Sequence, residues 1–369
     1  MTETLRLVAT VGGVALIVGM LSDAVATLIV TQGTSGLWRP TRLFYAATWR
    51  GARTVASRLP DRSGEYVLNV YPALSLLGLL VLWLAGLMVG WSLVYWGVDQ
   101  SIGGTRDFGT LVYYAGTSLV TPVFGSAHGA LIRMLTLLET LTGVVTIALM
   151  ISYLPALYGA YSRREARLLT LDDPAGGRIT PARVIALNAP GGDAEMLYRV
   201  LGEWQMWTAD LLESHVSYPM LALFRSQHPG QSWVTALGVL TDAGTLTSAC
   251  VEGAQSREPY FLYRRGRRAI VEISSRLHVP EAAVGQTWLV EENFDTAWRM
   301  LAETGLPLRD KSEAWADLQE LRATYGDQLE RLIDFLAAPR GFWGHSAEET
   351  VAVEVAAAAG EARRNARGG

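Results

Sequence analysis

The chain has 369 residues, 50% of them hydrophobic, with 31 basic and 35 acidic residues and a net charge of −4. So mild a charge offers no footprint for nucleic acid, and the single cysteine, Cys250, excludes an intrachain disulfide or a cysteine-rich metal site. Apolar residues gather before Arg163 and charged ones after it, which divides the chain into a membrane half and an aqueous half.

Three apolar runs reach the length of about 20 residues that a helix needs to span a bilayer. The first, Leu7 to Gln32, holds Asp23 as its one charge; the second, Val67 to Val98, holds none; the third, Met134 to Ser162, holds Glu139. In the first, Ala24-Val25-Ala26 resembles a signal-peptide cleavage site. The acidic Glu3 beside Arg6 and the length of the run favour a span instead. Asp23 is expected near the inner interface, paired with an arginine of the next segment.

That connector carries Arg39, Arg42, Arg50, Arg53, Arg58 and Arg62. Drawn as a helix from Arg39 to Leu59, it places Tyr45, Thr48, Trp49, Ala52 and Ala56 on one face, with Arg42, Arg50 and Arg53 largely off it. Such a helix would lie in the interface with its arginines near anionic lipid; a solvated basic loop is the simpler alternative. The arginine excess here, and Arg163, Arg164 and Arg167 after the third run, set the connector and the C-terminal half in the cytoplasm. The N-terminus and the stretch from Asp99 to Arg133 then face outside, in a multi-pass protein of the plasma membrane.

Between the second and third runs, Phe108 to Val120 is apolar and helix-compatible but too short to cross. A helix that enters a bilayer and stops needs partners for its terminal carbonyls. A water-filled ion path supplies one, and the carbonyl end favours a cation. The segment that follows, Thr121-Pro122-Val123-Phe124-Gly125-Ser126, is where extended backbone would replace a cation's hydration shell.

After the third run the pattern is helical, with segments at about 193–213, 219–227, 232–252, 264–277, 280–304 and 311–337. Trp204, Trp207, Trp233, Trp288, Trp298 and Trp315 fall at positions suited to a separate core. Residues 347–369 read as disordered or a frayed helix. His215 and His228 make no metal-ligand spacing with another histidine or with Cys250. The chain carries no dinucleotide, P-loop or nucleophile-elbow motif and no arginine repeat inside a span, so neither an enzyme, a nucleotide regulator nor a voltage sensor is expected.

The hairpin of spans around a short helix, with Thr117 and Thr121 four residues apart and Gly143 near the middle of the third run, resembles the bacterial potassium-channel family with a two-helix pore module. Pro40-Thr41-Arg42-Leu43-Phe44-Tyr45, Ser152-Tyr153-Leu154-Pro155 and the stretch from Glu213 to Trp233 are similar to a bacterial subgroup with an extra first helix and a helical tail. The resemblance implies an all-α membrane protein with three transmembrane helices, a re-entrant pore helix and an α-helical cytosolic domain. Its parts would be a first helix (1–32), a connector (33–66), a pore module (67–165, with helices at 67–98 and 130–161 and the pore loop at 107–128), a cytosolic domain (166–345) and a tail (346–369).

The resemblance also implies a homotetramer, one loop supplying a quarter of a filter, passing a monovalent cation, K+ first, with no organic cofactor. The family's filter reads Thr-Val-Gly-Tyr-Gly, often followed by Asp. Thr121 falls at the Thr, Pro122 at the Val, Val123 at the first Gly, Phe124 at the Tyr, Gly125 at the second Gly and Ser126 at the trailing Asp. A β-branched Val does not share the conformational freedom of glycine, and Pro122 lacks an N–H. Altered selectivity is the expectation; a non-conducting scaffold or sensor working through the helical tail is the alternative. Glu139 is expected as a support behind the filter or as a structural hydrogen-bonding group, Gly143 as a bend or a packing contact, and Pro155 as a kink or a helix end.

Overall fold

The computed structural model describes residues 3–29, 39–98, 107–121, 129–171, 179–226, 231–280 and 289–339. Among them there is no strand, and the regular elements are helices: α1 (Glu3–Leu28), α2 (Pro40–Ala56), α3 (Asp61–Gly97), α4 (Phe108–Ser118), α5 (Ala130–Leu168), α6 (Pro181–Asn188), α7 (Ala194–Ser217), α8 (Trp233–Cys250), α9 (Glu258–Arg276), α10 (Glu291–Thr304), α11 (Lys311–Ala323) and α12 (Gly326–Leu336). Three of them, α1, α3 and α5, are long and apolar enough to cross a membrane. The chain forms two compact units, residues 1–161 and 162–369, so the last turns of α5 belong to the second.

In the first unit α1 packs along α3. Small residues let the backbones approach: a Cβ on Gly13 would lie 2.5 Å from the Gly90 carbonyl oxygen. Asp23 is buried at the other end of this seam. Its Oδ2 accepts the Trp83 indole N–H at 3.0 Å, the Thr41 backbone N–H at 3.0 Å and the Thr41 hydroxyl, while Oδ1 lies 3.8 Å from Arg39 Nε. A carboxylate from α1 thus caps the N-terminus of α2, where orphan N–H groups and the helix dipole favour negative charge. The pairing with a connector arginine is as the sequence led us to expect. The connector is a helix, and its inward face is the expected one: Trp49 is buried and stacks at 5.1 Å on Tyr71, whose hydroxyl meets that of Thr48 at 2.8 Å. Arg42 and Arg50 are exposed.

The second unit is built around α8, in which every residue but Thr235 is buried. A helix buried on every side is a core element, and α6, α9 and α11 pack against it. Two buried polar groups organise the rest. Asp242 on α8 accepts from Arg322 Nε at 3.2 Å and from the Tyr325 hydroxyl at 2.5 Å. Arg164 donates to the carbonyls of Leu221 (3.1 Å) and Phe224 (2.7 Å) and pairs with Glu165 at 2.9 Å.

These two groups explain where the elements differ from the expected spans. Pro219–Leu223 is a 3₁₀ turn where the sequence suggested a helix over 219–227, because Arg164 and the Trp233 indole take its carbonyls. The expected helix over 311–337 breaks at Tyr325, whose ring turns inward to Asp242 and Thr245. The short α6, begun by a Thr180 cap and Pro181, was not foreseen. α5 runs through Pro155 to Leu168 and does not end there. Trp288, His228 and residues 346–369 lie outside the described residues.

His215 gives the second unit a definite pH response. Its Nδ1–H donates to the Leu211 carbonyl at 2.7 Å, leaving Nε2 to face Arg164 Nη1 at 3.4 Å. Burial, reinforced by Arg164, pushes the ring down to about 3. The unfolded chain binds its proton near pH 6.5, so the stabilising preference for neutral His215 is complete above that pH and is lost as pH falls toward 3. Stability should drop by about 2 kcal/mol from this group between pH 7 and 5. Denaturant titration at both pH values should show a shallower pH dependence in His215→Leu; an unchanged slope would exclude His215 as its source.

Candidate functional site

α4 is the short helix between the second and third spanning-length helices. Asp107 begins it by accepting the Thr110 N–H at 3.0 Å. Its 11 residues extend about 16 Å at the α-helical rise, roughly half of a hydrocarbon core. Leu111, Tyr114, Ala115 and Ser118 form its buried stripe. Against α3, Tyr114 meets Tyr95 edge-on at 5.4 Å and Phe108 meets Trp96 at 6.0 Å.

The C-terminal end of α4 rests on a polar stripe of α5. Thr136, Glu139, Gly143 and Thr146 recur on one buried face at helical spacing. Tyr95 Oη donates to Glu139 Oε2 at 2.6 Å. Thr136 directs its hydroxyl to the Ile132 carbonyl, so the Tyr114 hydroxyl 2.8 Å away donates to Thr136. Thr140 gives its hydroxyl to the Ser118 carbonyl at 2.7 Å, satisfying one of the carbonyls that a helix end leaves open. One turn on, the space at Gly143 is taken by the Leu119 carbonyl: a Cβ there would sit 2.0 Å from that oxygen. Glu139 is 0% exposed, and its Oε1 and the Ser118 hydroxyl have no hydrogen-bond partner among the described residues.

Of the residues singled out in the sequence, Glu139 and Gly143 therefore meet the α4 region, Glu139 through Tyr95 and the Thr136–Tyr114 bond, Gly143 directly as a packing contact. Thr117 is half-buried and donates to the Tyr114 carbonyl at 2.8 Å, and Thr121 is exposed just past the helix end. Pro155 is exposed and stands apart from this group. Pro122, Val123, Phe124, Gly125 and Ser126 lie outside the described residues. Tyr95, Tyr114, Thr136 and Thr140 were missed; the threonines were visible as an extension of the Glu139–Gly143 spacing, whereas the tyrosines carry no pattern that separates them from ordinary aromatics.

No family model matches the chain, and no solved structure matches it. A Bacillus subtilis (strain 168) protein named "Uncharacterized membrane protein YdjJ" is 24% identical over 240 residues, covering 62% of this chain and 66% of that one. This chain is a membrane protein with several apolar, spanning-length helices. The chain spans just under two thirds of that relative's length.

Within the membrane protein, the tie from Tyr95 to Glu139 is a separable part of the site. Tyr95→Phe leaves a buried acceptor without its donor and should cost about 1–3 kcal/mol. Thermal unfolding in detergent checks this against Tyr113→Phe, at a hydroxyl-bearing ring 74% exposed; equal melting temperatures for the two variants would contradict the role of the bond.

Proposed function

We propose that the chain is a potassium-channel-like pore subunit for passive cation transport, with selectivity altered from that of the family it resembles. The observation that carries this reading is the seating of α4: a half-length apolar helix, flanked by two spanning-length helices, whose terminal carbonyls meet Thr140 and Gly143. In this reading α4 is a re-entrant pore helix. Its carbonyl end attracts a cation and delivers Thr121 and the segment after it to an ion path. The cluster of Glu139, Tyr95, Thr136 and Tyr114 holds that helix from behind, in keeping with the functional bias of ionisable groups inside membranes.

One chain supplies one loop, so the pore is a homotetramer. The basic connector sits at the inner leaflet against anionic lipid, the second unit is cytosolic, and the N-terminus is outside the plasma membrane. Thr-Pro-Val-Phe-Gly lacks the first filter glycine, so K+ is the principal ion but is poorly distinguished from Na+. The same departure favours the second reading, a non-conducting scaffold acting through the self-contained second unit.

Purified protein in planar bilayers, with K+ on one side and Na+ on the other, tests the proposal. Currents reversing near zero are expected. Silent bilayers would overturn conduction in favour of the scaffold, and reversal at the K+ equilibrium potential would overturn altered selectivity.

A further inference from the structure

The second unit is acidic as a whole, with 28 acidic and 22 basic residues from Ser162 onward. α9 departs from that balance. Arg264, Arg265, Arg267 and Arg268 stand within little more than one turn, all exposed. Arg268 pairs with Glu272 at 3.2 Å, and Arg264, Arg265 and Arg267 make no ion pair among the described residues. The opposite face of the helix is fixed: Leu262, Gly266, Ala269, Ile270 and Ile273 are buried where α9 packs on α7 and α8. The arginines therefore hold their outward direction.

The same outward face carries apolar side chains that its own unit leaves open. Phe261 is 45% exposed and Val271 46%. At the helical rotation per residue, Phe261, Arg264, Arg265, Arg267, Arg268 and Val271 fall within an arc of about 160°, and the acidic residue inside it, Glu272, is the partner of Arg268. Cations flanking exposed aromatic and aliphatic groups form the surface that settles into an anionic lipid interface: the guanidinium groups reach phosphates and the apolar groups enter below them. An acidic polypeptide or RNA would use the cations but gives Val271 no comparable environment. The tether points the same way. This unit begins within a helix of spanning length, so a bilayer is always present at high effective concentration.

We propose that the outward face of α9 docks on the surface of an anionic bilayer, with Phe261 and Val271 in the headgroup region and Arg264, Arg265, Arg267 and Arg268 on lipid phosphates. Each arginine strengthens the docked state by roughly fivefold. This does not depend on ion conduction or on which side of the membrane the unit occupies.

The test uses the full-length protein with a spin label at Val271→Cys; Cys250 is fully buried and does not compete for the label. Nanodiscs of phosphatidylcholine are compared with nanodiscs that also contain phosphatidylglycerol. The docked state predicts that the label is shielded from a water-soluble relaxing agent, and reached by oxygen, only with the anionic lipid. Changing Arg264, Arg265 and Arg267 together to Gln should return the label to water, and changing them together to Lys should keep it docked, which separates lost charge from lost folding. A label that stays aqueous in anionic discs would overturn the proposal. So would one immersed equally without phosphatidylglycerol, or one shielded only when RNA or an acidic polypeptide is added.

Discussion

On the proposed channel reading, Gly143→Ala is expected to unseat α4 and lower ion flux. A methyl group at this position would come 2.0 Å from the Leu119 carbonyl oxygen, 2.9 Å from its carbonyl carbon and 3.1 Å from its Cα. All three are backbone atoms, so no side-chain rotation relieves the contact. Either α5 moves away, which opens the bond from Thr140 to the Ser118 carbonyl, or the end of α4 shifts and carries Thr121 with it. Overpacking of this kind costs about 1–3 kcal/mol, and the backbone contact places it at the upper end. Intrinsic helix propensity acts in the opposite direction, since Ala favours a helix over Gly by up to about 1 kcal/mol. Gly12→Ala isolates that effect, because nothing lies within 4 Å of its position. Melting temperature in detergent and flux in proteoliposomes should both fall for Gly143→Ala and hold for Gly12→Ala. Equal behaviour of the two variants would remove Gly143 from the site.

Asp242→Ala should destabilise the second unit by about 3–5 kcal/mol, the cost of leaving a buried charge without its partner. Arg322 is almost wholly buried, and burial alone would push its guanidinium down; Asp242 first, with Tyr325 and Glu330, outweighs this and holds it raised. Glu330, 3.8 Å from Nη2, remains as a longer ion-pair partner and holds the cost to the lower end of that range. The loss also frees the Tyr325 hydroxyl, which keeps Thr245 at 2.9 Å as its neighbour. Removing the charge on both sides is far milder, since an apolar pair of similar volume often substitutes for a buried ion pair. Hydrogen exchange across α8 and α12 in the full-length protein should therefore accelerate strongly in Asp242→Ala and recover in Asp242→Leu/Arg322→Met. Equal exchange in the two variants would show that lost packing, and not the stranded guanidinium, sets the cost.

The legibility of this molecule follows from how far apart its partners lie in the chain. The three spanning-length helices were readable because long uncharged runs mean the same thing in any context. Asp23 and the arginine-rich connector were readable as partners because one charge in an apolar run demands compensation close by. The inward face of α2 was readable from periodicity, with Trp49 and Thr48 where the spacing put them. The bond from Tyr95 to Glu139, by contrast, joins residues 44 positions apart, and one tyrosine in an aromatic-rich run gives no sign of which partner it meets. The end of α11 was equally hidden. Its helical pattern continues past Tyr325, and only the buried Asp242 on α8 turns that ring inward and breaks the helix. Long-range polar pairing decided both cases, and local propensity carries no record of it.

Thr121 stands at the point where α4 hands the chain to the segment proposed to meet ions, and its accessibility is the sharpest test available. In proteoliposomes containing Thr121→Cys, a membrane-impermeant cationic thiol reagent added from outside should stop cation flux, and flux from protein with Thr121 intact should be unaffected because Cys250 is buried. If the modified Thr121→Cys protein conducts as before, α4 does not lead into an ion path and the channel reading fails.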